Sequence, residues 1–92
     1  MTYVYVLRSK PTGHYYIGIS SNPIKRLQQH NSGHSISTKA YAPWDLLCAV
    51  PYDSREEAAA AEQRLKAAKS RRVIEKYIAQ SVESRRILDS PG

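Results

Sequence analysis

Tyr3-Val4-Tyr5-Val6-Leu7-Arg8, a break at Lys10-Pro11-Thr12-Gly13, then His14-Tyr15-Tyr16-Ile17-Gly18-Ile19: the fold is decided in this stretch. Both runs alternate and are rich in β-branched and aromatic residues. The break between them has turn chemistry, so the pair predicts a β-hairpin. Side chains alternate between faces along a strand. A register that sets Val6 opposite Ile17 also sets Val4 opposite Ile19 and Tyr5 opposite Gly18, with Tyr16 on the diagonal. One face is then wholly aliphatic, and the other carries two phenols beside a glycine. Diagonal neighbours lie about 7–8 Å apart, within reach of two tyrosines around one small ligand. A glycine inside a strand marks close approach by backbone or ligand, so open space is expected beside Tyr5. Tyrosine also favours strands for no functional reason, and the chain has 7 of them.

Beyond the hairpin, Asn22-Pro23 opens a helix, with Asn22 as the cap and Pro23 in the first helical position. Ile24 and Leu27 are expected to face the core. Arg26 and His30, four residues apart, project from one side. Asn31-Ser32-Gly33 stops the helix, with Gly33 as a left-handed cap. His34 to Pro43 reads as a polar, Ser-rich loop. Trp44 to Val50 reads as a third strand ended by Pro51. Ser54 and Glu57 form a capping box for a helix reaching about Ala68. A further helix, from Ser70 to about Gln80, carries Val73, Ile74, Tyr77 and Ile78 at helical spacing. The order β-β-α-β-α-α predicts an α+β fold, a small three-stranded, mainly antiparallel sheet flanked by helices. Residues 1–80 make one domain and residues 81–92 a tail, frayed at its end.

Bulk properties agree with this picture. A chain of 92 residues has room for a single domain, and 41% apolar with 24% charged residues is a globular composition. No apolar run approaches the ~20 residues of a membrane span, and the N-terminus does not read as a signal peptide. The lone Cys48 sits in an apolar run and reads as a buried thiol. No Cys/His cluster has zinc spacing, and the absence of disulfides fits a reducing cytoplasm. Fourteen Lys and Arg against eight Asp and Glu give a formal charge of +6. Such a domain is drawn to polyanions, which favours nucleic acid without establishing it.

Arginine can hold a phosphate through two hydrogen bonds, and histidine can relay a proton near neutral pH. Arg26 and His30 alone also fit a solvated helix face. In combination the residues are more specific. Tyr3-Val4-Tyr5, Tyr16-Ile17-Gly18, Arg26 and His30 stand at the spacing of the GIY-YIG nucleases. Over roughly residues 2–80 the chain resembles the small stand-alone bacterial members of that superfamily, of the UPF0213 kind. These are related to the nuclease domains of the excision-repair endonuclease UvrC and of Slx1-type enzymes.

The resemblance implies a metal-dependent DNA endonuclease that hydrolyses phosphodiester bonds with one Mg²⁺ or Mn²⁺. It also implies a metal-binding glutamate on a later helix, and Glu62 is the best match. As an ordinary residue Glu62 would be an i,i+4 partner of Lys66. Tyr5 is expected to take the proton of the attacking water, helped by the metal, Arg26 and a hydrogen bond to His30. Tyr16 positions the water or phosphate and competes for the role of base. The products would carry 5′-phosphate and 3′-hydroxyl ends. Gly18, Lys25, Thr38 and Lys39 are candidates for holding the nucleic-acid backbone. Arg64, Lys66, Lys69, Arg71, Arg72 and Lys76 form a second basic region, or a solvated helix surface. Trp44 and Tyr41 either stack on an unpaired base or, for Trp44, anchor the core.

Two features depart from the family pattern. Tyr3 replaces the usual glycine, and no asparagine follows Glu62, since Asn22 and Asn31 both precede it. The alternatives are a non-catalytic nucleic-acid-binding module of the same fold and a small protein-interaction domain. Single-stranded, duplex and branched DNA, and RNA, all stay open as substrates.

Overall fold

The hairpin forms in the register its alternation implies. Strands β1 (Thr2–Ser9) and β2 (Tyr15–Ser20) pair antiparallel, with Val4 opposite Ile19, Tyr5 opposite Gly18 and Val6 opposite Ile17. The computed structural model of the chain describes residues 1–33 and 36–89, with the backbone alone at 36–37 and 82–89. The hairpin turn closes through Ser9: its amide donates to the His14 carbonyl at 2.8 Å, and its carbonyl accepts from Gly13 at 2.8 Å. Gly13 supplies the left-handed conformation this turn needs, φ +78°.

Strand β3 (Trp44–Tyr52) pairs antiparallel with the other side of β1, giving the sheet order β2-β1-β3. It continues through Pro51, where the sequence suggested a stop. An edge strand tolerates a missing amide donor, and β3 is an edge. A register shift between Val6 and Leu7 leaves Leu47 as an extra residue on β3. This bulge changes the parity of the strand. Cys48 can therefore join Val4, Val6 and Ile17 in the aliphatic cluster, while Trp44 and Leu46 join Tyr5 and Leu7 in the aromatic one.

Each face is covered by helices. On the aliphatic side lie α3 (Arg55–Ala68), through Ala58, Ala61 and Leu65, and α4 (Arg71–Asp89), through Ile74, Tyr77 and Ile78. Burying a Val, Leu or Ile side chain contributes about 1.5–3 kcal/mol, so this layer supplies much of the stability. The Ser54 side chain caps α3 by accepting from the Glu57 amide at 3.1 Å. Helix α4 was expected to end near Gln80 but extends to Asp89. No Gly or Pro interrupts it before Pro91, and Ser81 Oγ is satisfied within the helix, donating to the carbonyls of Tyr77 and Ile78. Terminal Pro91-Gly92 lies outside the described residues.

On the aromatic side lie α1 (Pro23–Asn31) and the short α2 (Ile36–Lys39). The second falls in a stretch read as loop; His34 and Ser35 lie outside the described residues. Asn22 caps α1 as expected, accepting from the Lys25 amide at 3.2 Å, and Gly33 takes φ +81° after it. The orientation of α1 differs from the expectation. Ile24 is 57% exposed and His30 is 1% exposed. The inward stripe is Pro23, Leu27 and His30 at positions i, i+4 and i+7, because α1 docks on phenols and an indole rather than on an aliphatic surface. Among the described residues no helix is long and apolar enough to cross a membrane.

Candidate active site

The polar centre of the aromatic layer is built from four elements. Strand β1 delivers Tyr5, β2 delivers Tyr16, α1 delivers Arg26 and His30, and α2 delivers Thr38. Tyr5 Oη lies 3.2 Å from His30 Nε2, and His30 Nδ1 lies 2.9 Å from Thr38 Oγ1. The Tyr16 ring centroid is 4.7 Å from the imidazole and 6.2 Å from the Tyr5 ring. Tyr5, His30 and Thr38 are all buried. Thr38 is thus corrected: its hydroxyl serves an internal histidine and is not free to contact a phosphate backbone.

Gly18 is corrected in the same sense. The space beside it is filled by Tyr5 itself, since a Cβ at Gly18 would lie 2.6 Å from Tyr5 Oη and 2.7 Å from its Cζ. The glycine seats the phenol against His30 rather than leaving room for a ligand.

Arg26 stands over both phenols. Its Nη1 donates to Gln29 Oε1 at 2.7 Å, one turn along α1, which fixes one edge of the guanidinium. The proximity is mutual. Burial pushes the Tyr5 phenol above its ordinary value of 10.0, and Arg26 offsets only part of that. Tyr5 in turn reinforces the arginine's charge. At rest desolvation outweighs the cation, so Arg26 alone does not prime Tyr5 as a base. Burial and then Arg26 hold His30 below its ordinary 6.5, so it is neutral at pH 7. A neutral imidazole can accept a proton at one nitrogen while donating from the other.

Glu62 stands apart from this cluster. It lies on α3, which packs against the opposite face of the sheet, and its carboxylate is 3.7 Å from Lys66 Nζ with 19% of the side chain exposed. Among the described residues no hydrogen bond or ion pair joins it to Tyr5, Tyr16, Arg26 or His30. A groove of about 510 Å³ is lined by Tyr16 and Ile17 of β2, by Leu65 and Lys66 one turn beyond Glu62, and by Lys69 and Arg71 at the α3–α4 corner. Glu62 itself does not line this groove; it sits on α3 one turn before Leu65 and Lys66, which do. Arg71 sits over the Tyr15 ring at 4.7 Å.

The remaining candidates divide by exposure. Lys25, Lys39, Arg64, Lys69, Arg71, Arg72 and Lys76 are exposed, as a polyanion surface requires. Trp44 is an anchor: it is buried, and its Nε1 donates to the Thr38 carbonyl at 3.0 Å. Tyr41 packs on Trp44 and His14 at the surface. Both asparagines are occupied structurally. Asn22 caps α1, and Asn31 accepts from the Trp44 amide at 2.6 Å and donates to its carbonyl at 3.2 Å. Sequence reasoning missed Gln29 and the internal role of Thr38. The first was visible as an i,i+3 partner of Arg26; nothing local marked the second.

The family model for the GIY-YIG catalytic domain matches residues 1–79. The chain belongs to the GIY-YIG family. A UPF0213 protein of Streptococcus pneumoniae is 43% identical over 70% of this chain and 65% of its own length. A structure-specific endonuclease subunit SLX1 homolog of Trypanosoma cruzi is 44% identical, over 51% of this chain and 10% of that protein. The chain thus spans about two thirds of the first relative and a tenth of the second. The solution structure of a UPF0213 protein from Bacillus halodurans matches with a TM-score of 0.55 and 32% identity, over 87% of this chain and 85% of that one.

Proposed function

We propose that this chain is a metal-dependent DNA endonuclease that hydrolyses phosphodiester bonds with a tyrosine-assisted water. The observation that carries the reading is the convergence of Tyr5, Tyr16, Arg26 and His30 from three elements, with Tyr5 Oη 3.2 Å from His30 Nε2. The family match and the SLX1-type relatives support it. A solvated helix face would not bury a histidine against two phenols.

Arg26, tethered by Gln29, keeps donors directed at the phenols, where a phosphate could accept them and its developing charge would be stabilised. Tyr5 is the proton acceptor for water, and His30 is its neutral partner. Tyr16, closer to the groove, orients the water or the phosphate. The donor set fits a hydrated hard cation. Among the described residues no three His, Cys, Asp or Glu side chains cluster as a cage, whereas one part-buried carboxylate, Glu62, is paired with Lys66, which lines the groove. A Mg²⁺-type ion retains most of its water and needs only one or two protein carboxylates beside substrate phosphate. Held by Glu62, it would supply Lewis-acid stabilisation of the leaving 3′-oxygen. Lys66, Lys69 and Arg71 along the same groove are positioned for the phosphate backbone.

A second reading, a nucleic-acid-binding module without turnover, is favoured by two observations. Tyr5 is shifted away from the ionised form, and neither asparagine is free to replace the missing downstream one. One experiment separates the two. Labelled single-stranded, duplex and branched DNA are incubated with the protein in Mg²⁺, Mn²⁺ or EDTA. Metal-dependent cleavage that falls about 10²-fold or more in Tyr5→Phe and in Glu62→Ala supports the enzyme. Salt-sensitive binding without cleavage supports the module.

A further inference from the structure

We infer that Thr38 is a positioning residue that holds His30 in the tautomer with the proton on Nδ1, leaving Nε2 bare to receive the Tyr5 proton. The inference rests on the nuclease reading for its purpose but not for its geometry. His30 is 1% exposed and Thr38 3% exposed, so solvent does not choose the tautomer. Among the described residues the ring has one polar neighbour at each nitrogen: Tyr5 Oη at Nε2, 3.2 Å away, and Thr38 Oγ1 at Nδ1, 2.9 Å away.

Donor and acceptor capacity decides between the two arrangements. Arg26 stands beside the Tyr5 oxygen, and a guanidinium can only donate. Arg26 draws on the phenol oxygen as an acceptor, which turns the O–H toward its other polar neighbours, the imidazole and Tyr16. With Thr38 Oγ1 accepting from Nδ1 at 2.9 Å, the one proton of the neutral ring sits on Nδ1, and Nε2 is left to accept from the phenol. The backbone supports this position, because the Thr38 carbonyl accepts from Trp44 Nε1 and so ties α2 to the core.

During hydrolysis the proton of the attacking water passes to the Tyr5 oxygen, and the phenol's original proton passes to His30 Nε2. The ring becomes an imidazolium with Nδ1–H still on Thr38. It returns the proton to the leaving oxygen or to solvent, so no charge is left over. The groups facing the ring are Tyr5 of β1, Tyr16 of β2, Arg26 of α1 and Thr38 of α2. Among the described residues none is a carboxylate. Thr38 thus stands where an acid would raise the histidine's basicity, which keeps the resting ring neutral beside Arg26.

The test reads the tautomer directly. Protein labelled with ¹⁵N-histidine is examined by long-range ¹H–¹⁵N correlation at pH 7, with His30 assigned through His30→Gln. The expected wild-type pattern is a protonated Nδ1 and a bare Nε2. Thr38→Val, which keeps the shape and removes the acceptor, should lose that pattern, and Thr38→Ser should restore it. In cleavage assays Thr38→Val should lower kcat about tenfold or more with KM little changed, and Thr38→Ser should recover it. A wild-type ring protonated on Nε2, or an unchanged tautomer in Thr38→Val, overturns the inference whether or not the protein cleaves DNA. Absence of cleavage with the expected tautomer pattern overturns the nuclease reading instead.

Discussion

Gly18→Ala is a one-methyl change whose sign reports how Tyr5 is seated. Outside any clash, alanine in a strand interior is favoured over glycine by about 0.5–1 kcal/mol. Here the new Cβ would fall 2.6 Å from Tyr5 Oη and 2.7 Å from Cζ. Ordinary contact begins at 3.4 Å, so the ring must retreat by about 0.8 Å. Tyr5 is 1% exposed, which leaves no free space for that movement. A retreat of that size also exceeds the slack of its 3.2 Å hydrogen bond to His30. Overpacking of this kind costs about 1–3 kcal/mol. Urea unfolding should therefore show Gly18→Ala destabilised by that amount, with catalysis reduced as the Tyr5–His30 contact loosens. In a Tyr5→Leu background the same substitution should become neutral or stabilising, a coupling of about 1.5–3 kcal/mol. Stabilisation of the wild type by Gly18→Ala, or the same cost in both backgrounds, refutes the close seating.

Two further outcomes follow from the geometry. Asn31→Ala removes both hydrogen bonds to the Trp44 backbone and should cost about 1–3 kcal/mol in urea unfolding, with no change in metal dependence. For pH, His30 titrates below 6.5 in the folded state, so between the folded and unfolded values the unfolded chain binds more protons and stability rises with pH. Its contribution is complete above about pH 6.5 and is lost as pH falls through the folded value. Unfolding midpoints from pH 5 to 8 should show this step in the wild type and not in His30→Gln.

The hairpin was fully legible in the sequence because period-two alternation fixes faces, and one apolar pair sets every other pairing. The cap at Asn22, the capping box at Ser54 and the β-β-α-β-α-α order were legible for similarly local reasons. What was not legible depended on tertiary partners. Ile24 and His30 exchanged places because the surface receiving α1 is polar and aromatic, so the apolar-inward rule pointed α1 the wrong way. The bulge at Leu47 and the strand beyond Pro51 follow from pairing with β1, which periodicity in β3 alone does not reveal. At the site, the Tyr5–His30 contact was foreseen. The role of Thr38 was not, since it depends on α2 folding back over α1 and on an imidazole being buried there. Gly18 was recognised as a close approach, but its neighbour proved to be the protein's own phenol.

The proposed joint action of Glu62 with the phenol cluster is tested most directly by locating Mn²⁺ in crystals of the protein through its anomalous scattering. The expected result is a single ion on the Glu62 carboxylate at the groove shared with Tyr16, displacing the Lys66 ammonium, and no such ion in Glu62→Gln. An ion bound at Glu56 or Glu57 instead, or one on Glu62 turned to solvent away from Tyr16, contradicts a shared active site.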